Sequence, residues 1–287
     1  MNVYKAVLLD LDGVVWTRYG AIDKSPDATH LFKENGIKVF YLTNNSHRSQ
    51  QETFDKLVSY GFYVESLANI VTSPFLTYKQ LEYDGVKGKV LALGSKTLLV
   101  ELQKNPNLQL VSFVDLQMNQ VQIKHTLNDQ IAAIVLGYKL NLSYYETAVV
   151  LSIATINKCK IYLTNQDVFY PAGNEIMPGT GSYLSCITMP HEILNDKIVV
   201  CGKPNVLISE HLKKMFALEK TEVVMVGDNL ETDVKLGINC GYRSVLVETG
   251  VHSRADIEKL KIKPSKIFKS LYDMACNVNN EREQVNY

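Results

Sequence analysis

Short, unbroken apolar runs alternate along this chain with amphipathic stretches of about ten residues. The runs are Ala6 to Leu9, Val39 to Leu42, Val90 to Leu93, Ile131 to Leu136, Ile161 to Leu163, Ile198 to Val200, Val223 to Val226 and Ser244 to Val247. A strand covered on both faces reads as a continuous apolar run, and its covering helices read with a 3.6-residue period. The alternation therefore predicts parallel sheets layered by helices. The punctuation between runs agrees. Ser25 before Pro26 predicts a helix start, with Ser25 as N-cap, and Asn35-Gly36 its end. Ser49 with Glu52 predicts a capping box, and Gly61 closes that helix. Ser143 with Glu146 repeats the device before a long apolar-faced helix reaching about Asn157.

No tandem repeat or low-complexity tract marks a boundary, so domains must be sought in topology. From about Tyr78 to Ile193 the chain carries its own strands and helices, while both flanks hold nearly all the polar residues that follow strand ends. This predicts an insertion. Residues 1–77 and 194–287 form one α/β domain, interrupted by a smaller α/β domain at 78–193. The polar terminal stretch from Cys276 to Tyr287 is expected to fray.

Composition narrows the function classes. The chain has 287 residues, with 30 Lys+Arg against 30 Asp+Glu and 46% hydrophobic residues. Net charge zero removes the long-range positive field that nucleic acid or anionic membrane would need. The five cysteines show no C-x-x-C spacing and read as reduced core thiols. Carboxylates directly follow the first apolar run, no signal-peptide core precedes it, and no run approaches the length of a membrane span, so a cytoplasmic protein is expected. The six histidines, His30, His47, His125, His191, His211 and His252, lack metal-ligand spacing, and most read as surface residues. None is assigned to chemistry.

Ligands of open parallel sheets bind at the carboxyl ends of strands. Asp10 and Asp12 follow the first flank run, and Thr43, Asn44 and Asn45 follow the second. Lys203 follows Ile198 to Val200, and Asp228 and Asp233 follow Val223 to Val226. Such a set suits phosphoryl transfer to a side chain. A hard cation such as Mg²⁺ takes oxygen ligands from different strand ends, for which Asp10 and Asp228 are the natural pair. With Mg²⁺ and Lys203 absorbing phosphate charge, Asp10 can attack phosphorus. Asp12, two residues on, can protonate the leaving alkoxide and then deprotonate water. Thr43 and the backbone N–H groups at Asn44 and Asn45 can donate to phosphate oxygens. Asp233 can either orient metal-bound water or anchor Lys203.

Taken singly these residues have plainer readings. Asp10 and Asp12 could cap a strand end, Thr43 and Asn44 are ordinary strand terminators, Lys203 could be a solvated helix-start residue, and Asp233 could complement a helix dipole. Trp16, the sole tryptophan, reads as a buried aromatic, and Cys201 as a packed thiol. The glycines of Pro178 to Ser182 lack the P-loop pattern and read as a turn into a helix.

In combination and order, Asp10/Asp12, Thr43, Lys203 and Asp228/Asp233 resemble the four motifs of the haloacid dehalogenase superfamily. The second aspartate, Asp12, matches its phosphatases and phosphomutases rather than its dehalogenases. The segments DLDGVVW, YLTNNS, LTNQD, PGTGS and CGKPN look like the para-nitrophenyl phosphatase branch, which includes phosphoglycolate, pyridoxal phosphate and nucleotide phosphatases. That resemblance implies a Rossmann-like core with an inserted α/β cap, and Mg²⁺ held by the side chains of Asp10 and Asp228 and the main-chain carbonyl of Asp12. It also implies that cap residues near Asn165 to Pro171 close over a small phosphorylated metabolite. Phe169-Tyr170-Pro171 stands where pyridoxal phosphate phosphatases often carry a histidine, which weakens that substrate. Phosphomutase or phosphotransferase chemistry, and a phospho-accepting module without turnover, are the alternatives. Partners other than a small metabolite are not expected, and a homo-oligomer is left open.

Overall fold

Strands buried on both faces must pair side by side beneath helices, and every apolar run above does so. The computed structural model describes residues 4–111, 131–172, 175–188 and 195–283. His125, His191 and the expected boundary at 193/194 lie outside them. The chain divides into two units. The first comprises Met1–Thr43, Gln50–Val71 and Lys203–Tyr287, and the second Asn44–Ser49 and Thr72–Gly202. The second unit resumes at Thr72 and ends at Gly202. The helix Ser73–Tyr83, with Thr72 Oγ1 accepting from Phe75 N at its start, belongs wholly to the second unit.

The first unit is built on a six-stranded sheet in the order Lys266–Phe268, Arg243–Val247, Val223–Gly227, Ala6–Asp10, Lys38–Thr43, Ile70–Thr72. Ala6–Asp10 runs parallel to both neighbours, in the registers Leu9 with Val226 and Asp10 with Leu42. Chain order reverses between Ala6–Asp10 and Val223–Gly227, the switch point at which open α/β sheets bind ligands. Val7, Leu9, Val39, Tyr41, Val224 and Val226 meet the helix residues Ala28 and Phe32 in the core. The helix Ser25–Glu34 begins one residue earlier than its sequence predicts. Lys24 is the N-cap, and Ser25, inside the helix, donates its hydroxyl to the Val14 carbonyl instead. Asn35 ends it as expected. The terminal stretch does not fray throughout, because the helix Leu271–Glu283 continues across Cys276, and Leu271, Met274 and Ala275 are buried in the core.

The second unit holds a five-stranded parallel sheet in the order Ile198–Val200, Lys160–Leu163, Ile131–Leu136, Gly88–Leu93, Leu108–Val111. Ile198–Val200, expected to deliver Lys203 from the flank domain, pairs instead with Ile161–Leu163 in this sheet. An apolar run announces a buried strand without saying which sheet receives it. Tyr144–Ile156 carries the predicted capping box, with Ser143 Oγ accepting from Glu146 N and Ser143 N donating to the Glu146 carboxylate. Its Val149, Val150 and Ile153 pack on Ile134, Leu136 and Ile161. An antiparallel hairpin, Phe169–Ala172 with Glu175–Pro178, precedes the Gly179 turn into the helix Thr180–Tyr183.

Cys159, Cys201 and Cys240 are buried free thiols, and burial pushes Cys201 up to about 12. Cys186 is exposed, contrary to its reading as a core thiol. His211 is likewise buried rather than on the surface. Among the described residues no helix is long and apolar enough to cross a membrane.

Candidate active site

The switch point of the first sheet gathers the charged residues. Asp10 is the last residue of its strand, and Asp228 follows Gly227 at the end of the neighbouring one. Their registers bring both carboxylates to one edge. Asp233 comes from the π-helical turn Leu230–Val234, which is closed by the Asn229 side chain accepting from Glu231 N and Thr232 N. Lys203 is the first residue of the returning segment. Its ammonium sits between two carboxylates, 2.5 Å from Asp10 Oδ1 and 2.7 Å from Asp233 Oδ1. The other Asp233 oxygen accepts from Asn229 N at 3.1 Å, and Asp228 Oδ2 accepts from Val251 N at 2.7 Å.

These charges are out of water: Asp10 is 7% exposed, Asp228 2%, Asp233 0% and Lys203 4%. Buried charges must be paired or coordinate a cation. Burial pushes Asp10 well above the usual carboxylate range; Lys203 opposes the shift, while Asp233 and Asp228 add to it. Burial, then Asp233, raises Asp228 to about 7, against the Val251 N–H and Lys203. Burial alone would lower Lys203, but Asp10 and Asp233 outweigh it and hold the ammonium charged.

One ammonium among three carboxylates leaves a deficit of positive charge. Oxygens of Asp10, Asp228 and Asp233 all lie within 4.8 Å of one another. An all-oxygen, buried, electron-rich donor set of this kind fits a hard divalent cation. Asp228 is also enclosed tightly. Gly13, at φ +91°, and Gly250 each lie so close to its carboxylate that a Cβ at either position would collide with it. The loop carrying Gly250 donates twice to Asp228, from Val251 N to the side chain and from His252 N to the carbonyl. Thr249 Oγ1 also donates to the Gly13 carbonyl at 2.5 Å, tying that loop to the one after Asp10. Sequence reasoning missed this element. Its signal was the Glu248-Thr249-Gly250 that follows the apolar run Ser244 to Val247, a strand end like the others.

The remaining expected residues are not members of this charge cluster. Asp12 stands outside the buried cluster, exposed, with Oδ1 accepting from the Trp16 indole N–H at 2.9 Å. Trp16 itself is buried in the first unit's core. Thr43 is buried at the end of Lys38–Thr43, one residue beyond the partner of Asp10. Asn44 and Asn45 belong to the second unit. There the Asn44 side-chain amide donates to Asp167 Oδ1 at 2.9 Å, and its carbonyl accepts from Ser73 Oγ and Asn165 Nδ2. Asn45 Oδ1 accepts from His47 N. Asn165 and Asp167 are thus structural partners of Asn44 within that unit.

Known proteins resemble this chain over most of its length. The family profile of haloacid dehalogenase-like hydrolases matches residues 7–105, and a HAD-hydrolase-like profile matches residues 200–274. The 5'-nucleotidase YutF of Bacillus subtilis is 27% identical over 94% of this chain and 97% of its own length. An acid sugar phosphatase of Staphylococcus saprophyticus is 29% identical over 96% and 98%. Among solved structures, a p-nitrophenyl phosphatase from Archaeoglobus fulgidus superposes with a TM-score of 0.81 at 26% identity, covering 95% of this chain and 98% of that one.

Proposed function

The chain belongs to the haloacid dehalogenase-like hydrolases, among phosphatases of the p-nitrophenyl phosphatase kind, and from that premise we propose that it hydrolyses small phosphomonoesters through a phosphorylated Asp10. The observation that carries the reading is the Lys203 ammonium held between Asp10 and Asp233, beside Asp228, at the sheet's switch point. Lys203 fixes one Asp10 oxygen and supplies positive charge where phosphate oxygens arrive. Asp233 anchors Lys203 from behind, which keeps that charge from drifting. Asp10 and Asp228, with the Asp12 carbonyl, are the residues to hold Mg²⁺. The bound ion would neutralise phosphate charge and allow two anions to approach.

In the first step an Asp10 oxygen bonds to phosphorus as the ester P–O bond breaks, and the Asp12 carboxyl gives its proton to the departing alkoxide. In the second, water gives a proton to Asp12 while its oxygen bonds to phosphorus, and Asp10 leaves as a carboxylate. Thr43 and the N–H groups of Asn44 and Asn45 would bind the transferring phosphoryl oxygens. The resemblance to the p-nitrophenyl phosphatase branch makes the second unit the candidate cap domain. A small-metabolite substrate is in keeping with the neutral charge.

Turnover of p-nitrophenyl phosphate, measured with Mg²⁺ and with excess chelator, tests the reading. Many turnovers per chain that chelator abolishes are expected, whereas a single phosphate retained per chain would mean a phospho-accepting module. Relatives named for nucleotides and for sugars make nucleoside monophosphates and sugar phosphates the first members of a kcat/KM panel.

A further inference from the structure

Asp12 is exposed, yet its carboxylate accepts from an indole N–H that belongs to a buried side chain. We propose that Trp16 is the positioning residue for Asp12: its indole N–H occupies Oδ1, so that Oδ2 is the oxygen that passes the proton. The proposal rests on the acid–base reading of Asp12 given above.

Three observations carry it. Trp16 is 1% exposed, and its ring is held edge-on by Tyr60, with centroids 6.2 Å apart at 78°, and by Phe62, at 6.5 Å and 84°. A donor fixed in that way holds its acceptor in one orientation. The Lys56 ammonium lies 3.8 Å from the ring centroid. A cation over an indole face draws electron density from the ring and makes its N–H a stronger donor. The backbone between the two residues is also closed: Gly13 N donates to Trp16 O at 2.7 Å, and Val15 N and Trp16 N both donate to Leu11 O.

A packing role alone would predict something else. A buried indole N–H needs an acceptor, but a backbone carbonyl would serve. Here the acceptor is a carboxylate that solvent could satisfy unaided. Ordering it lowers the entropy of a side chain that water leaves free, a cost that orientation for proton transfer explains. In the first step the bond from Asp10 to phosphorus forms, the ester P–O bond breaks, and the Oδ2 proton goes to the alkoxide. Water then returns a proton to Oδ2 as the bond from phosphorus to Asp10 breaks.

The test uses leaving groups. p-Nitrophenolate departs without a proton, whereas an alkoxide of similar size, from 2-phenylethyl phosphate, requires one. Trp16→Phe is expected to lower kcat/KM for 2-phenylethyl phosphate about 30-fold and for p-nitrophenyl phosphate less than about 3-fold. Equal losses on both substrates would overturn the proposal. Asp12→Asn, run in parallel, should show the same split more strongly. If Asp12→Asn shows no split, the acid–base reading has failed; if it does and Trp16→Phe does not, only the positioning role has. Because Trp16 is the sole tryptophan, biosynthetic replacement by benzothienylalanine puts sulfur in place of that one N–H and keeps the ring shape. This guards against a Phe variant that does not fold. The same split is expected, and an unchanged ratio of the two kcat/KM values would contradict the assignment.

Discussion

The two sheets of this chain share one architecture and carry opposite chemistry at their switch points. In the first, chain order reverses between Ala6–Asp10 and Val223–Gly227, and the crevice holds three buried carboxylates and a lysine. In the second it reverses between Gly88–Leu93 and Ile131–Leu136, which are followed by Gly94 and Gly137. A Cβ on Gly94 would lie 3.5 Å from Gly137 Cα, and both glycines lie against the buried side chain of Leu98. Leucine fills the place that charge occupies in the other sheet. Among the described residues, only Asp10, Asp228 and Asp233 form a carboxylate cluster able to hold a metal. Topology makes a crevice, and the side chains at strand ends decide whether it reacts or packs.

The contrast breaks most severely at Lys203. Lys203→Met leaves Asp10 and Asp233 buried without their counter-ion. We expect kcat/KM to fall about 10³-fold and stability by about 3–5 kcal/mol, read from steady-state kinetics and denaturant unfolding. Retained activity would remove Lys203 from the site.

A smaller effect comes from pH. The folded, metal-free chain holds the Asp228 proton up to about 7, against 3.8 ordinarily. In that window Asp228 holds its proton in the folded state and loses it in the unfolded one, so its contribution to stability falls as pH rises from about 4 to about 7. Mg²⁺ should reverse the slope by replacing those protons. Thermal unfolding across this range, with and without Mg²⁺, checks both signs; an upward metal-free trend would contradict the charge deficit assigned to the first sheet.

At the second switch point the expected change is confined to packing. Leu98→Ala should destabilise by about 2–5 kcal/mol through the cavity it leaves, while Mg²⁺ affinity by calorimetry stays within about twofold. A large loss of metal affinity would mean that the two switch points are not chemically separate.

Much of this contrast was legible in the sequence. Each apolar run became a strand, because a run of three to six apolar residues bounded by turn and helix-start signals can be buried in few other ways. Ile70–Thr72, Leu108–Val111 and Lys266–Phe268 were not legible: each is short, and Gln109 and Lys266 interrupt or open an apolar pattern too brief to stand out. Ile198–Val200 was recognised as a strand but given to the wrong sheet, since pairing partners leave no local trace. Within the site, charged residues soon after apolar runs were found. Gly13 and Gly250 were not, because their role is the absence of a Cβ beside Asp228. The Trp16 bond to Asp12 escaped for a different reason: four residues of separation do not reveal a turn that folds one side chain onto the other.

The central claim is that Asp10 is the atom donor to phosphorus, and acid-quenched enzyme tests it most directly. Enzyme quenched during turnover of a phosphomonoester is treated with borohydride, which reduces an aspartyl phosphate to homoserine, and the peptide containing residue 10 is read by mass spectrometry. Homoserine at position 10, absent without substrate, is the predicted result. Active enzyme that yields homoserine at another aspartate, or at none while phosphate is released, would contradict it.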